Sequence, residues 1–353
     1  MPFRLPELRR PHFFLPPHVL RSIIENGSPE QKAMARRSLS LDRGLRATRS
    51  AAIFSAPAAE TVASRGTKDR SIYTARHGQS LPGVLLRKEG AAPTRDPAAD
   101  EAYDHLGSTY DLFWSAYARH SIDDAGLPLR ATVHFAEAYD NAFWNGEQMV
   151  FGDGDDDLFN RFTICVDVVG HELTHGVTEH EARLQYAQQA GALNESVSDV
   201  FGSLVKQWTL KQGAEQADWL IGAGLFTKKV HGQALRSMRA PGTAYDDPVL
   251  GKDPQPDQWS RFVRTSEDNG GVHINSGIPN RAFYLVAIGL GGKAWEKAGR
   301  IWYETLRDSR LRPGSGFKVF ASRTAANAAR LYGASSGEQK AVREAWRQVG
   351  LEI

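Results

Sequence analysis

Residues 171–175 read His-Glu-Leu-Thr-His, and Asn194-Glu195-Ser196-Val197-Ser198-Asp199 follows. In a helix over 164–180, His171 and His175 share one face, about one turn apart. Two neutral imidazoles so placed can each give one nitrogen to a tetrahedral zinc ion. Glu172, beside the first ligand, can reach a water at the metal without ligating it. Glu195 is the candidate third protein ligand, which leaves one coordination position open. Asp199 lies one turn after Glu195, so it can accept the spare N–H of a ligating imidazole and fix its tautomer. The chemistry implied is metal-assisted hydrolysis, with Glu172 moving the proton.

The elements that hold these residues belong to a chain of 353 residues, long enough for a large core and two or more domains. Acids and bases nearly balance, at a formal net charge of +2, so no nucleic-acid footprint shows. The single cysteine, Cys165, excludes an intrachain disulfide and reads as a small buried hydrophobe. No run of apolar residues is long enough to span a membrane. Residues 1–10 lack the apolar core of a secretory signal. The expectation is a cytoplasmic protein, or one exported by a route that needs no cleaved signal.

Pro16-Pro17 precede a helical pattern with Val19, Leu20, Ile23 and Ile24 on one face, stopped at Asn26-Gly27. Ser28-Pro29-Glu30-Gln31 carries an N-cap, a proline at the first helical position and a capping-box glutamine. Tyr103, Leu106, Tyr110, Phe113, Trp114 and Tyr117 recur at helical spacing within 97–120, as core. Strands are expected at 132–136 and 148–151, and Gly152 to Asp157 reads as a solvated acidic turn. Helices are expected at 192–210, 278–290, 294–309, 315–332 and 336–348, the last started by Ser335-Ser336-Gly337-Glu338.

The blocks Val168 to Thr178 and Gly191 to Gly202 resemble the thermolysin family of zinc endopeptidases. Asn141-Ala142-Phe143-Trp144-Asn145-Gly146, Ala234 to Met238 and Asp268 to Gly277 extend the likeness in the family's order. The segment Phe14 to Leu20 resembles the short propeptide of protealysin-like members. The resemblance implies a two-lobed α+β fold, with a β-rich N-terminal lobe, a mainly helical C-terminal lobe and the zinc helix between them. The expected division is a helical propeptide over 1–50, a linker over 51–67, a β-rich lobe over 68–180 and a helical lobe over 181–353.

The resemblance also implies roles. His273, helped by Tyr186 and oriented by Asp268, would stabilise the oxyanion. Asn141 and Ala142 would supply a strand edge to an extended peptide. Arg236 would hold the substrate backbone just after the scissile bond, and Val168, Ile221 and Leu235 would line a pocket preferring bulky hydrophobic residues. Lys206, Leu220 and Ala223 stand where calcium-binding members carry acids, beside Asp167 and Asp218, so a paired calcium site is expected to be absent and calcium elsewhere is doubtful. The expected partners are peptide or protein substrates and the chain's own propeptide. The alternative is a catalytically silent peptide-binding module of the same fold, against which intact Glu172, Glu195 and His273 argue.

Overall fold

A computed structural model describes residues 12–48 and 64–353. The segment before His12 and most of the linker expected over 51–67 therefore lie outside the described residues.

The described chain opens with β1 (His12–Phe13), α1 (Pro17–Asn26) and α2 (Pro29–Thr48). Pro17 sits at the first turn of α1, where its missing N–H costs nothing. α1 buries Val19, Leu20 and Ile23, while Ile24 is half-buried. The capping box forms in both directions. Gln31 N–H donates to Ser28 Oγ (3.2 Å), and Ser28 N–H donates to Gln31 Oε1 (2.8 Å).

β2 (Arg70–Thr74), β3 (Val84–Lys88), β4 (Leu129–Val133), β5 (Ala142–Trp144) and β6 (Met149–Phe151) complete a mixed sheet with β1, in the order β1-β5-β6-β4-β2-β3. β4 runs parallel to β2 and β6, and the other pairs are antiparallel. α3 (Pro97–Tyr117) packs on β2 and β4. Asp96 caps it by accepting from the amides of Ala98 and Ala99. Its buried residues include all the expected aromatics except Trp114, which is half-buried. The strand expected at 132–136 ends at Val133, because His134 and Ala136 both take φ of 55°, in the left-handed region that no strand uses.

α4 (Val166–His180) packs between α3 and β5 on one side and α5 (Gln188–Thr209) on the other. Glycines set how closely α4 and α5 approach. A Cβ on Gly202 would stand 2.5 Å from the Asp167 carbonyl oxygen, and one on Gly170 would stand 3.1 Å from Gly202 Cα. β7 (Leu220–Ile221) and β8 (Arg236–Ser237) pair antiparallel. α6 (Asp268–Asn275), α7 (Gly277–Leu290), α8 (Ala298–Leu306), α9 (Phe317–Tyr332) and α10 (Gly337–Gln348) complete the helical lobe. α8 is shorter than the span expected at 294–309. Ser336 caps α10 by accepting from Gln339 N–H (3.2 Å).

Candidate active site

α4 presents His171, Glu172 and His175 on its buried face, and α5 presents Glu195 opposite. The Nε2 atoms of His171 and His175 lie 3.1 Å apart, and each is 3.4 Å from a Glu195 oxygen. Zinc bonds of about 2.0–2.1 Å give a coordination tetrahedron with edges of about 3.3–3.4 Å, so the three donors are spaced as ligands of one ion. Glu172 Oε1 and Glu195 Oε2 are buried without a hydrogen-bond partner among the described residues. Buried carboxylate oxygens need compensation, and a cation with its water supplies it.

The outer nitrogens are fixed. His171 Nδ1–H donates to Asp199 Oδ1 (2.8 Å), and His175 Nδ1–H donates to Asn194 Oδ1 (2.8 Å) with Ser198 Oγ at 3.1 Å. Each ring therefore turns its Nε2 toward Glu195. Asp199 is itself held by the Arg236 guanidinium through two parallel bonds (2.8 and 2.9 Å) and by Asn280 Nδ2 (2.8 Å). Burial works against an imidazolium at His171, but Asp199 and Glu195 raise it to about 9. Burial likewise raises Glu172 to about 8, although the Trp144 N–H donates to its Oε2 (2.9 Å). That amide fixes where the Glu172 carboxylate points.

His273 stands across the cleft. Its Nδ1 donates to Asp268 Oδ1 (2.7 Å), and its backbone N–H donates to Asp268 Oδ2 (2.9 Å). The turn that brings Asp268 back onto His273 runs through Asn269, Gly270 and Gly271 with φ of 51°, 90° and 74°, which glycine adopts without steric cost. Burial opposes protonation of His273, yet Asp268 and Glu195 hold its pKa above the usual imidazole value. The Tyr186 hydroxyl donates to Glu195 and lies 3.2 Å from His273 Nε2.

The cleft edge is occupied by the chain's own β1, which pairs antiparallel with β5. Phe14 N–H donates to the Ala142 carbonyl (3.0 Å), and Leu15 N–H donates to Asn141 Oδ1 (2.8 Å). The Phe13 carbonyl accepts from His273 Nε2 (3.0 Å), and the Phe14 carbonyl lies 3.5 Å from an Arg236 nitrogen. The Phe14 ring packs edge-on to His171 and under the Arg236 guanidinium. A Cβ on Gly222 would be 3.5 Å from both the Phe14 ring and Leu235 Cβ, so Phe14 enters the space bounded by β7 and β8. Val168, Ile221 and Leu235 are buried in the same core. His12 stacks on His175 at 4.3 Å. α2 closes the arrangement from outside, where buried Asp42 accepts from Tyr139 OH (2.6 Å) and Asn141 Nδ2 (3.0 Å).

The fold brings His171, Glu172, His175, Glu195, Asp199, Tyr186, Asp268, His273, Asn141, Ala142, Arg236 and Leu235 to this cleft, while Val168 and Ile221 lie buried in the core. Asn194 and Ser198 hold His175 from behind and Asn280 holds Asp199; these three and Asp42 are not among the residues expected from the sequence. A polar residue beside a ligand or about one turn after it, as Asn194 and Ser198 stand to Glu195, was the available signal. Nothing local marks Asn280 or Asp42. Lys206 sits where calcium ligands were expected to be missing. Its Nζ lies 2.9 Å from Asp167 Oδ2 and 2.9 Å from Asp218 Oδ1, and it donates to the Leu220 carbonyl (2.5 Å). Cys165 is buried, and burial raises its thiol pKa, as fits an inert hydrophobe.

Comparison with known proteins bears on these features. Residues 57–179 match the catalytic domain of thermolysin metallopeptidases, and residues 182–351 match their alpha-helical domain. Residues 12–40 match the protealysin propeptide. The chain is 53% identical over 339 residues to an extracellular metalloprotease of Pectobacterium carotovorum subsp. carotovorum, covering 96% of each. It is 46% identical over 294 residues to an extracellular minor metalloprotease of Serratia marcescens (strain ATCC 21074 / E-15), covering 80% of this chain and 79% of the other. The solved precursor of protealysin, a metalloproteinase from Serratia proteamaculans, superposes with a TM-score of 0.89 at 54% identity, covering 96% of this chain and 99% of that one. The expectation of a cytoplasmic location is overturned here, since the relatives are named extracellular. The missing signal pattern in residues 1–10 misled because it reports on one export route only.

Proposed function

The chain belongs to the thermolysin metallopeptidase family and is a zinc neutral endopeptidase made as a precursor, and we propose how its own residues divide the work. His171, His175 and Glu195 would hold the zinc. When bound, zinc supplies Lewis acidity that lets a water attack a peptide carbonyl at neutral pH. Glu172 takes the proton of that water and passes it to the leaving amine. His273 and Tyr186 donate to the oxygen on which charge develops, and Asp268 keeps the His273 ring aimed and protonated. Asn141 and Ala142 bind an extended backbone, Arg236 holds the carbonyl after the scissile bond, and Val168, Ile221 and Leu235 receive a bulky hydrophobic side chain there.

The observation that supports this reading is the seating of the N-terminal segment. Its hydrogen bonds to Ala142, Asn141, His273 and Arg236 are those a substrate would make, with Phe13-Phe14 spanning the reacting position. The segment inhibits by occupying the cleft as a peptide does. The Lys206 ammonium between Asp167 and Asp218 takes up the carboxylates a paired calcium site would need, which supports the absence of that site. Like the relatives named extracellular, the enzyme acts outside the cell.

The test is cleavage of an internally quenched peptide with Phe after the scissile bond. It compares the precursor, the matured form, and matured enzyme stripped with chelator and then resupplied with zinc. Activity should appear on maturation, vanish with chelator and return with zinc. Equal activity in precursor and matured enzyme would end the inhibitory reading, and persistence after full zinc removal would end the metal reading.

A further inference from the structure

A second histidine–carboxylate cluster lies on the rim of the β-rich lobe, built from four separate segments. His77 follows β2, His134 follows β4, Asp153 follows β6, and Asp96 caps α3. The geometry points to a further metal site, in which His77, His134 and Asp153 bind a late first-row divalent cation such as zinc while Asp96 orients the His134 ring.

Spacing carries the assignment. One potential ligand atom from each of the three residues lies within 4.8 Å of the others. His134 Nδ1 is 2.8 Å from Asp153 Oδ2, and His77 Nδ1 is 3.6 Å from the same oxygen. These two separations bracket the edge of about 3.3–3.4 Å that zinc bonds of about 2.0–2.1 Å require, and the third, between the histidines, is within 4.8 Å. On the far side of the ring, His134 Nε2 donates to Asp96 Oδ2 (2.8 Å), while Asp96 Oδ1 is pinned by the amides of Ala98 and Ala99. That is the carboxylate–imidazole arrangement that fixes a metal-bound histidine, with Nδ1 turned toward the cation.

The backbone also places His77. Its N–H donates to the His134 carbonyl (2.8 Å), and Ala136 N–H donates to the Gly78 carbonyl (2.9 Å), so the two loops are laced together. Both histidines adopt left-handed backbone, with φ of 60° and 55°, a conformation that L residues rarely take. Charge favours a cation, since two carboxylates face one another across His134. Binding displaces the proton that His134 shares with Asp153. Two imidazoles and one carboxylate suit zinc, nickel or copper rather than calcium or magnesium. The His77 side chain is 60% exposed, which leaves an entry path and room for water as a further ligand. A bound ion would tie together three loops that are distant in sequence.

The test counts metal in the full-length chain carrying Glu172→Gln, which prevents self-digestion. After equilibration with micromolar zinc and removal of free metal, two ions per chain are expected. Adding His77→Ala or Asp153→Asn should leave one, with the second binding event in a calorimetric titration weakened at least tenfold. Zinc should raise the melting temperature through this site and calcium should not. Adding His175→Ala instead removes the catalytic ion and retains the rim ion, so failure of either site is read separately. One ion in the parent chain, or two ions surviving in both rim variants, would overturn the inference.

Discussion

The catalytic cluster and the rim cluster use the same pair of side chains in opposite surroundings. In both, a carboxylate grips the outer nitrogen of an imidazole, Asp199 on His171 and Asp96 on His134. At the centre the ligands are buried by α4, α5 and the covering β1, and even the supporting Asp199 is pinned by Arg236 and Asn280. At the rim, His77 faces solvent and its partners are only part-buried. Burial strengthens each electrostatic contact and makes any unpaired group expensive, so the centre holds its geometry through redundancy. The rim gains solvent access and gives up that rigidity.

The largest effect expected at the centre is on turnover. Glu172→Gln keeps size and burial but removes the base, so kcat of the matured enzyme should fall by roughly 10²–10⁴ with zinc content unchanged. A variant that lost zinc in parallel would show Glu172 acting on the metal instead. Next comes the outer grip. Asn194→Ala frees His175 Nδ1 and should weaken zinc binding about 10–100-fold, measured by competition with a chelator. An unchanged affinity would mean that Ser198 alone suffices.

The cover that distinguishes the two clusters can be removed. Phe14→Ala empties the space beside His171 and Arg236, so resting activity of the uncut precursor should rise about tenfold or more, against the roughly 3–5 kcal/mol typical of losing a buried Phe. The smallest effect concerns pH. Burial raises Asp42 to about 7 in the docked segment, despite hydrogen bonds from Tyr139 and Asn141 and the nearby Arg46 charge. A docked pKa above the free value of 3.8 means that docking takes up a proton. The Asp42 contribution to docking is therefore full below about pH 4, is lost as pH rises to 7, and levels off above, while burial lowers His18 of the same segment to about 4 and opposes docking below about pH 6.5. Precursor activation should be several-fold slower at pH 5 than at pH 8, and Asp42→Asn should remove or invert that slope.

Helices were legible wherever a pattern repeated within a few turns, as in α3, α5 and α10. His134 shows the opposite case, because a strand pattern continued through 132–136 while the chain turned at His134 into left-handed backbone. The acidic turn at Gly152 to Asp157 read as solvated. In the fold Asp153 pairs with His134, Asp155 accepts from the amides of Asp157, Leu158 and Phe159, and Asp157 binds Gln31 and Lys229.

By itself, the sequence determined the spacing within each half of the candidate site, with His171, Glu172 and His175 on one helix and Glu195 and Asp199 on the other, through helical periodicity. It also determined the order of the lobes, through ordered blocks shared with a known family. Tertiary structure alone decided that Phe13-Phe14 would lie across the catalytic groups, that Asp42 would be sealed against Asn141, and that His77, Asp96, His134 and Asp153 would meet. Those contacts join segments far apart in the chain, and only the packing of strands, helices and loops sets the distances between them.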